Sequence, residues 1–369
     1  MNILINCSNL KIGGGIQVAH SFLDLIKNEK GYKFFIVLSD FLKCQIDLGE
    51  YDENFKFYYY NIPYKLNVIT GIDFFLDNLI CNYNVDVVFS IFGPTYWHPK
   101  VRHIVGYAKP HYVYSDSPYF KIISFKERIL LSIKRFFHLR DFKNNSDILI
   151  TENEDVTKKL KVLFPKKNIY TVTNFYNQIF DFPEKWDRSL NLPNFDGFTL
   201  LTVSANYPHK NLKIILHVAK FFISNHKNFK FRFILTVEKD QFPIDYFKEV
   251  EEHIVFLGNV NILQVPYLYS KVDAVFLPSL LECFTATYPE AMRMEKPILT
   301  SDLDFARSLC NNSACYFKPL DPIDISNKIL LLVNDVNLKF KLVDFGLKRL
   351  SYFDDYKMRA KKYMEIIKK

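Results

Sequence analysis

Short apolar runs alternate with segments of helical periodicity along the whole chain. Several of the runs are continuously apolar, as in NILINC and KFFIVL. The runs predicted as strands are 2–8, 33–39, 86–92, 103–108, 147–151, 168–174, 198–204, 231–237, 254–258, 273–278, 297–301 and 314–317. Apolar strands separated by amphipathic helices are typical of a parallel sheet with helices on both faces. The pattern therefore predicts an α/β fold.

One polar, turn-rich segment interrupts this alternation. It reads DFPEKWDRSLNLPNFDG from 181 to 197, and the strand pattern resumes at 198. Such segments are typical of linkers, and a chain of 369 residues is long enough for two cores. We therefore predict two doubly wound α/β domains, 1–190 and 191–350. The last segment, 351–369, predicts an amphipathic helix that could pack on either domain, including back on the first.

The composition is that of a soluble globular protein, with 49% hydrophobic and 24% charged residues. The six cysteines are Cys7, Cys44, Cys81, Cys283, Cys310 and Cys315. Their spacing shows no C-x-x-C pair, which indicates free thiols in a reducing cytosol. No apolar run approaches the roughly 20 residues of a membrane span, and the start lacks the features of a signal peptide. We therefore expect a cytoplasmic protein.

The net charge of +8 indicates an anionic partner. A nucleic acid, a phosphorylated small molecule or a membrane surface would each satisfy this charge. The sequence shows no helix-turn-helix or zinc-finger spacing, and no strand has the motif of an RNA-recognition domain. Nucleic acid is therefore not the expected partner.

Three consecutive glycines, Gly13, Gly14 and Gly15, follow the first predicted strand. A tight turn with positive φ would explain some of them. In a chain with only 11 glycines, three together favour close approach of an anionic ligand to the backbone and to the next helix N-terminus. The segment is neither G-x-G-x-x-G nor a P-loop, so neither a dinucleotide nor a Walker nucleotide site is indicated.

Two charged residues are predicted at the carboxyl edge of the second sheet, where ligands of open α/β sheets bind. Lys210 follows strand 198–204 after a short polar loop, and Glu282 follows strand 273–278. Lys210 would suit a phosphate, unless it is one of many solvated surface lysines. A carboxylate such as Glu282 either binds hydroxyl groups strongly or pairs with a cation.

A second carboxylate, Glu290, lies in the same stretch, LECFTATYPEAMR (281–293). Thr287 and Glu290 have the spacing of a capping box in which Thr287 is the N-cap of a helix. The pattern therefore predicts a structural use for Glu290 and leaves Glu282 without one.

Four segments, in order along the chain, resemble the glycosyltransferases of family 4, which are retaining enzymes with the GT-B fold. The segments are GGGIQVA, SANYPHKN, VFLPSLLECFTATYPEAMRMEKPILTSD and ACYFKPLDPIDISNKI. The spacing of Glu282 and Glu290 resembles the E-x7-E donor-site motif of that family. The resemblance implies two Rossmann-like domains facing a central cleft, with the acceptor side at 1–190 and the nucleotide-sugar donor domain at 191–350.

The resemblance also implies roles for individual residues. Glu282 would hold hydroxyls of the transferred sugar, Glu290 would hold the ribose hydroxyls, and Lys210 would neutralise the departing diphosphate. Backbone amides near Phe284 and Thr285 would contact sugar and phosphate, and the glycine loop would close over the diphosphate. The implied donor-binding set is Gly14, Gly15, Ser204, Asn206, Lys210, Glu282, Phe284, Thr285 and Glu290. The resemblance implies no resident cofactor. Asp302 and Asp304 follow strand 297–301, but they belong to a stretch that resembles a donor-domain loop, so we expect no metal.

The chain departs from the family pattern in three places. The stretch from Ser204 to Asn206 stands where the family commonly has an arginine, and Thr285 replaces a glycine and narrows the sugar site. Many relatives have a histidine near the position of Tyr107. Here His111 is the candidate catalytic imidazole, although a loop histidine is more often structural or solvated.

The segment 119–143 mixes seven Lys and Arg residues with many Ile, Leu and Phe residues. It is apolar over more than the single stripe of a soluble amphipathic helix. Such segments lie on anionic membrane surfaces. A core helix of the first domain with a basic rim would explain the composition equally well.

Together these features predict a retaining glycosyltransferase that moves a sugar from a nucleotide-diphosphate sugar to a glycan. The segment 90–110 resembles enzymes of bacterial surface polysaccharide synthesis (O-antigen or capsule). A lipid-linked oligosaccharide is therefore the expected acceptor, and the inner face of the cytoplasmic membrane is the expected location. A GT-B-like nucleotide-sugar epimerase and a non-catalytic nucleotide-sugar-binding module are the alternatives.

Overall fold

The computed structural model describes residues 1–11, 13–43, 46–61, 68, 70–242 and 248–369. The chain forms two compact units. The first unit contains Met1–Val113, Ile123–Asn174 and Asp354–Lys369, and the second contains Tyr114–Ile122 and Phe175–Phe353. Each unit has its own sheet.

The first unit contains a seven-stranded sheet in the order β3-β2-β1-β4-β5-β6-β7, with parallel neighbours throughout. Its strands are β1 (Asn2–Cys7), β2 (Lys33–Leu38), β3 (Phe55–Tyr59), β4 (Val87–Ser90), β5 (Arg102–Gly106), β6 (Ile148–Thr151) and β7 (Asn168–Thr171). Its helices are α1 (Gly14–Ile26), α2 (Asp40–Lys43), α3 (Phe74–Tyr83), α5 (Phe125–Asn144), α6 (Glu154–Leu163) and α13 (Tyr356–Lys368).

Strand β1 shows why this sheet is covered on both faces. Successive side chains of a strand point to opposite faces. Ile3 and Ile5 lie in one apolar cluster with residues of α1 and α13, whereas Leu4 lies in a second cluster with residues of α3. A continuously apolar strand is stable only when helices cover both faces, so the apolar run itself required this arrangement.

The second unit contains a six-stranded parallel sheet in the order β10-β9-β8-β11-β12-β13. Its strands are β8 (Phe198–Thr202), β9 (Phe231–Leu235), β10 (Ile254–Phe256), β11 (Ala274–Leu277), β12 (Ile298–Ser301) and β13 (Ala314–Phe317). Its helices are α4 (Tyr119–Ile122), α7 (Ile214–Asn225), α8 (Val265–Ser270), α9 (Thr287–Arg293), α10 (Asp304–Cys310), α11 (Pro322–Asn334) and α12 (Val336–Arg349). Short 3₁₀ helices occupy Leu48–Glu50, Pro110–Tyr112, Gln178–Asp181, Pro183–Lys185, Pro208–Lys210, Lys239–Gln241, Glu251–His253 and Leu350–Tyr352.

The predicted α/β fold and all twelve predicted strands are confirmed, and the observed strands are slightly shorter. The prediction missed β3, whose sequence FKFYY is rich in the aromatic residues that favour strands. This strand lies at the edge of the sheet and is only partly buried. Its alternation of polar and aromatic residues was the signal that could have identified it.

The chain changes units after Asn174 rather than at the predicted residue 190. The polar segment 181–197 packs within the second unit: Asp181 accepts a 2.6 Å hydrogen bond from Arg293, and Asp187 donates its backbone N–H to the carbonyl of Leu263. Tyr114–Ile122 also belongs to the second unit, which the strand pattern did not indicate. The C-terminal helix α13 lies in the first unit and packs against α1.

Cysteines in the described part of the chain are free thiols. They are Cys7, Cys81, Cys283, Cys310 and Cys315. Cys44 lies outside the described residues.

Candidate functional site

The carboxyl edge of the second sheet brings Lys210 and Glu282 together. Lys210 ends the 3₁₀ helix that follows β8, and Glu282 lies in the loop that follows the neighbouring strand β11. A backbone hydrogen bond of 2.7 Å from Leu280 to His209 joins the two loops. The Lys210 ammonium donates a hydrogen bond to Glu282 Oε1, and the two side chains are 17% and 9% exposed.

This ion pair excludes the interpretation of Lys210 as a solvated surface lysine. A mostly buried pair is stable only while both partners are present, because either charge alone would be desolvated without compensation. A ligand at this edge therefore meets a cation and an anion that are already fixed side by side. Such a pair suits a molecule that offers hydroxyl groups to the carboxylate and phosphate oxygens to the ammonium.

Glu290 occupies a different environment from Glu282. It lies in α9 and is buried, and Tyr269 of α8 donates a 2.8 Å hydrogen bond to its Oε2 atom. Burial raises the pKa of Glu290 to about 7, and the hydrogen bond from Tyr269 opposes this shift. Glu290 therefore changes its charge near neutral pH.

The predicted capping box at the start of α9 is wrong. The N-cap of α9 is Ala286, no side chain caps the helix, and Thr287 is already the first helical residue. The Thr287 hydroxyl accepts a 3.2 Å hydrogen bond from Thr285. The Glu290 side chain points inward to Tyr269 instead of reaching back, because a buried hydroxyl and a buried carboxylate satisfy each other.

The loop from Ser204 to Asn206 is fixed by contacts within the second unit. The backbone N–H of Ser204 donates to the Thr236 hydroxyl at 3.0 Å, and the Asn206 amide donates to the carbonyl of Gln241 at 2.8 Å. These hydrogen bonds hold the loop beside the 3₁₀ helix that carries Lys210.

Phe284 and Thr285 lie in the loop between Glu282 and α9, and both are half-buried. The ring of Phe284 meets Phe353 edge-on, with a centroid distance of 6.0 Å. This contact anchors the loop on the apolar side and leaves its backbone next to the carboxylate of Glu282.

The glycine loop belongs to the first unit and precedes α1. Gly13 is the N-cap of α1 and has φ of +79°, a conformation that side chains disfavour. A Cβ atom on Gly14 would meet no described atom within 4 Å, whereas one on Gly15 would lie 3.3 Å from Phe92. Backbone conformation thus accounts for Gly13 and packing for Gly15, and Gly14 leaves open space above the helix N-terminus.

His111 lies in the 3₁₀ helix Pro110–Tyr112 of the first unit and is half-buried. The other histidine of this region, His103, is buried inside β5. Its Nε2 lies 2.8 Å from the Ser90 hydroxyl and its Nδ1 lies 2.5 Å from the carbonyl of Asn145. Burial lowers the pKa of His103 to about 4, so this ring is neutral and structural.

Sequence reasoning missed two aromatic side chains at the second edge. Tyr269 is the hydrogen-bond donor to Glu290, and nothing in its short helix marked it as polar and buried. Tyr207 is 42% exposed and stacks on His209, with ring planes 6° apart. Its position three residues before Lys210 was the available signal.

No described helix is both long and apolar enough to cross a membrane. Within the ranges that the structure describes, no three His, Cys, Asp or Glu side chains converge in a way that could hold a metal ion.

Comparison with known proteins shows what the second unit is similar to. Residues 184–349 match the family model described as Glycosyl transferases group 1. The O-antigen chain mannosyltransferase RfbU of Salmonella typhimurium is 26% identical over 215 residues, 58% of this chain and 55% of RfbU. The match thus spans little more than half of that relative's length.

Solved structures share the fold over the whole chain. A glycosyltransferase from Rickettsia africae is similar with a TM-score of 0.72 and 15% identity, over 100% of this chain and 97% of that one. WaaG, a glycosyltransferase involved in lipopolysaccharide biosynthesis, has a TM-score of 0.70 and 13% identity, over 100% and 99%. HepE from Anabaena, solved with UDP and glucose, has a TM-score of 0.66 and 12% identity over the same shares.

At identities this low, the solved structures support the fold alone. The family-model match rests on the sequence of the second unit, which contains both carboxylates and Lys210. The chain has the GT-B fold, and its residues 184–349 are similar to the group 1 glycosyl transferases.

Proposed function

We propose that this protein transfers a sugar, with retention of configuration, from a nucleotide-diphosphate sugar to a glycan acceptor. The observation that carries the proposal is the buried pair of Lys210 and Glu282 at the edge of the sheet where ligands of α/β folds bind. A nucleotide sugar presents hydroxyl groups next to a diphosphate, and this pair offers the complementary carboxylate and ammonium.

The pair would assist departure of the diphosphate. Glu282 accepts hydrogen bonds from hydroxyls of the transferred sugar and orients its anomeric carbon. As the bond from that carbon to the diphosphate oxygen breaks, negative charge grows on the leaving group, and Lys210 stabilises it. The acceptor hydroxyl forms the new bond on the face that the diphosphate leaves, and its proton goes to the departing diphosphate oxygen. Backbone N–H groups near Phe284 and Thr285 add neutral donors, so the transfer needs no metal.

Glu290 would bind the nucleotide. Its Oε2 atom accepts from Tyr269, and its Oε1 atom would accept from the hydroxyls of a ribose. In the first unit, the open space above Gly14 would receive the diphosphate, and His111 would contact the transferred sugar. Ser204 and Asn206 would shape the site by fixing the loop that carries Lys210.

The acceptor we propose is a lipid-linked glycan of a bacterial surface polysaccharide, with the enzyme on the inner face of the cytoplasmic membrane. The similarity to RfbU, named as an O-antigen chain mannosyltransferase, supports this acceptor class. The basic and apolar segment 119–143 supports an anionic membrane surface as a second partner.

A ligand screen followed by a product assay tests the proposal. One of UDP, GDP, ADP and CMP should raise the melting temperature of the protein, because a ligand that binds only the folded state stabilises it. The matching nucleotide sugar should then yield a product with the anomeric configuration of the donor, measured by NMR. Inversion, or no response to any nucleotide, would refute the assignment.

The same assay separates the alternatives. A non-catalytic binding module would bind the nucleotide sugar but would not transfer the sugar. It would also lack the slow hydrolysis of the donor that an enzyme shows without acceptor. An epimerase would convert the donor sugar itself in the absence of any acceptor.

A further inference from the structure

Helix α5 is exposed along nearly its whole length. Among its 20 residues, only Asp141 and Phe142 are buried. The exposed large apolar side chains are Phe125 at 75%, Ile129 at 46%, Leu130 at 51%, Ile133 at 52%, Phe136 at 64% and Phe137 at 38%. The interpretation of this segment as a core helix is therefore wrong for most of α5.

Four of these side chains form one continuous stripe, which we call the α5 stripe: Phe125, Ile129, Ile133 and Phe136. Their spacings of four, four and three residues place them on one face of the helix. A contiguous apolar surface of this kind on a folded protein marks an interaction site. Water alone is a poor partner for it.

A groove of about 540 Å³ lies beside the stripe. Three cations, Arg135, Arg140 and Lys143, and three apolar side chains, Phe136, Leu139 and Phe164, contribute to its lining. The lining described by the structure contains no carboxylate. The groove therefore suits a molecule with a phosphate next to a hydrocarbon chain.

The two carboxylates of α5 itself do not neutralise these cations. Glu127 accepts 2.7 Å hydrogen bonds from the backbone and hydroxyl of Ser124 at the start of the helix. Asp141 is buried and accepts from the backbone of Thr95 at 3.0 Å and from Asn145 at 2.6 Å. The basic charge of the groove thus remains available to an external anion.

We propose that α5 docks on the surface of a bilayer that contains anionic phospholipids, with a phospholipid phosphate in the groove. The α5 stripe enters the boundary between headgroups and acyl chains, as the apolar faces of interfacial helices do. Arg135, Arg140 and Lys143 bind the phosphate through charge-assisted hydrogen bonds. This inference rests on the membrane partner in the proposed function and identifies the residues that hold it.

The position of α5 gives this docking a purpose. Asp141 contacts Thr95, and the ring of Phe142 lies 4.8 Å from that of Tyr107; Thr95 and Tyr107 follow the carboxyl ends of β4 and β5. Asn144 is only a few residues from the start of β6. The N-terminal part of α5 therefore projects beyond the carboxyl edge of the first sheet, and a bilayer along the stripe lies beside the edge where ligands bind.

Co-sedimentation with vesicles of phosphatidylglycerol and phosphatidylcholine, compared with vesicles of phosphatidylcholine alone, tests the proposal. We expect binding to the anionic vesicles only, and it should weaken steeply between 0.1 M and 1 M salt as the Debye length falls from about 10 Å to about 3 Å. The triple variant Arg135→Gln, Arg140→Gln, Lys143→Gln should bind roughly a hundredfold more weakly at 0.1 M salt, since each basic residue near an anionic surface contributes roughly fivefold.

Two further variants make the test specific. Phe125→Ser with Phe136→Ser should remove the part of the binding that resists salt, because this part comes from the stripe. The matched control is Phe340→Ser with Lys341→Gln on α12, where Phe340 is 71% exposed. This control removes an exposed apolar side chain and a cation elsewhere and should bind as the unchanged protein does.

Three results would overturn the proposal. The first is that the protein does not bind anionic vesicles at low salt. The second is that the triple variant and the control lose vesicle binding equally. The third is that the protein self-associates in sedimentation and that the stripe variant abolishes this self-association. The vesicle assay contains no donor, so it is independent of sugar transfer. Sugar transfer to a short soluble acceptor should persist in both α5 variants. If the unchanged protein transferred no sugar to this acceptor, that result would refute the proposed function and not the membrane docking.

Discussion

Two clusters of polar side chains, one in each sheet, differ in their charge. At the first edge, Asn6 accepts from Ser8 at 2.5 Å and donates to Ser90 at 3.3 Å, and Ser90 lies 2.8 Å from His103. Burial keeps His103 neutral, so this network is buried without net charge. At the second edge, the ion pair of Lys210 and Glu282 is mostly buried.

The difference separates a neutral cluster from a charged pair. A neutral, satisfied network gives stability and shape without attracting ions. A buried ion pair gives little stability for its desolvation cost, so its presence at a ligand edge suggests use by a ligand. Under the proposed function, the second edge stabilises the leaving group and the first edge supplies the open backbone at Gly14.

The largest effect is expected when the charge of the second edge is broken. Glu282→Gln should lower kcat by roughly 10² to 10³, the usual loss when a group that positions or stabilises the transition state is removed. Glu295→Gln, a change at an exposed glutamate of the same unit, is the control and should keep full activity. Full activity in Glu282→Gln would mean that the pair is only structural.

A double variant sharpens the same point. Lys210→Met with Glu282→Leu replaces the pair by apolar groups of similar volume, which is often neutral or stabilising. We expect a melting temperature near that of the unchanged protein and no sugar transfer. A double variant that melts far lower would assign the pair a mainly structural role.

Loss of the hydrogen bond from Tyr269 to Glu290 should have a smaller effect, and this effect should depend on pH. Tyr269→Phe removes the hydrogen bond that holds down the pKa of Glu290, so the carboxylate should be more protonated at pH 7. Nucleotide affinity should fall about tenfold at pH 7, typical of a hydrogen bond to a charged group, and should recover partly at pH 8. Tyr267→Phe on the same helix is the control, and calorimetric titration is the measurement.

Two variants of the glycine loop distinguish a glycine needed for backbone conformation from one needed for ligand approach. Gly13→Ala forces a side chain into positive φ and should cost about 1–2 kcal/mol of unfolding free energy. Gly14→Ala meets open space and should leave stability unchanged while weakening donor binding several-fold. Equal donor affinity in Gly14→Ala and the unchanged protein would remove the diphosphate from this loop.

Glu290 and His103 should respond oppositely to acid. The folded pKa of Glu290 is raised from 4.5 to about 7, so its ionisation costs stability as pH rises from about 4.5 to 7. The folded pKa of His103 is lowered from 6.5 to about 4, so its contribution is complete above pH 6.5 and is lost as pH falls towards 4.

Urea unfolding between pH 7 and pH 5 measures this contrast. Glu290→Gln should make the loss of stability on acidification steeper, because it removes the gain from protonating the carboxylate. His103→Gln should make the loss shallower, and Glu295→Gln should leave it unchanged. Equal slopes in all three variants would show that neither group titrates as its burial requires.

The smallest expected effect is that of a chelator. Lys210 and backbone N–H groups are proposed to carry the charge of the diphosphate, so EDTA should leave the transfer rate within about twofold. Complete loss that Mg²⁺ or Mn²⁺ restores would mean that a metal held with the substrate supplies that charge instead.

Much of this architecture was readable from the sequence. Continuously apolar runs such as NILINC can be stable only between two layers of helices, so the strands and the parallel sheets followed from the pattern alone. Because parallel strands end at a common edge, the positions of Lys210 and Glu282 after β8 and β11 already placed them on the same side. The family resemblance rested on these same residues.

Long-range contacts decided what the local pattern had misassigned. Thr287 and Glu290 have the spacing of a capping box, yet Glu290 binds Tyr269, which lies 21 residues earlier in the chain. The segment 181–197 reads as a linker, but its contacts with Arg293 and Leu263 hold it in the second unit. A local sequence pattern contains information only about residues close along the chain, whereas packing of the core brings distant residues into contact.

The exposure of α5 is the clearest case of this limit. Its composition was equally compatible with a buried helix and with a surface helix, because periodicity reports which residues share a face and not what covers that face. Only the packing of the first unit, which buries Asp141 and Phe142 and leaves the α5 stripe uncovered, distinguishes the two. The sequence determined the elements and their chemistry, and the tertiary structure decided which side chains remain in contact with water, because burial depends on what the rest of the chain packs against them.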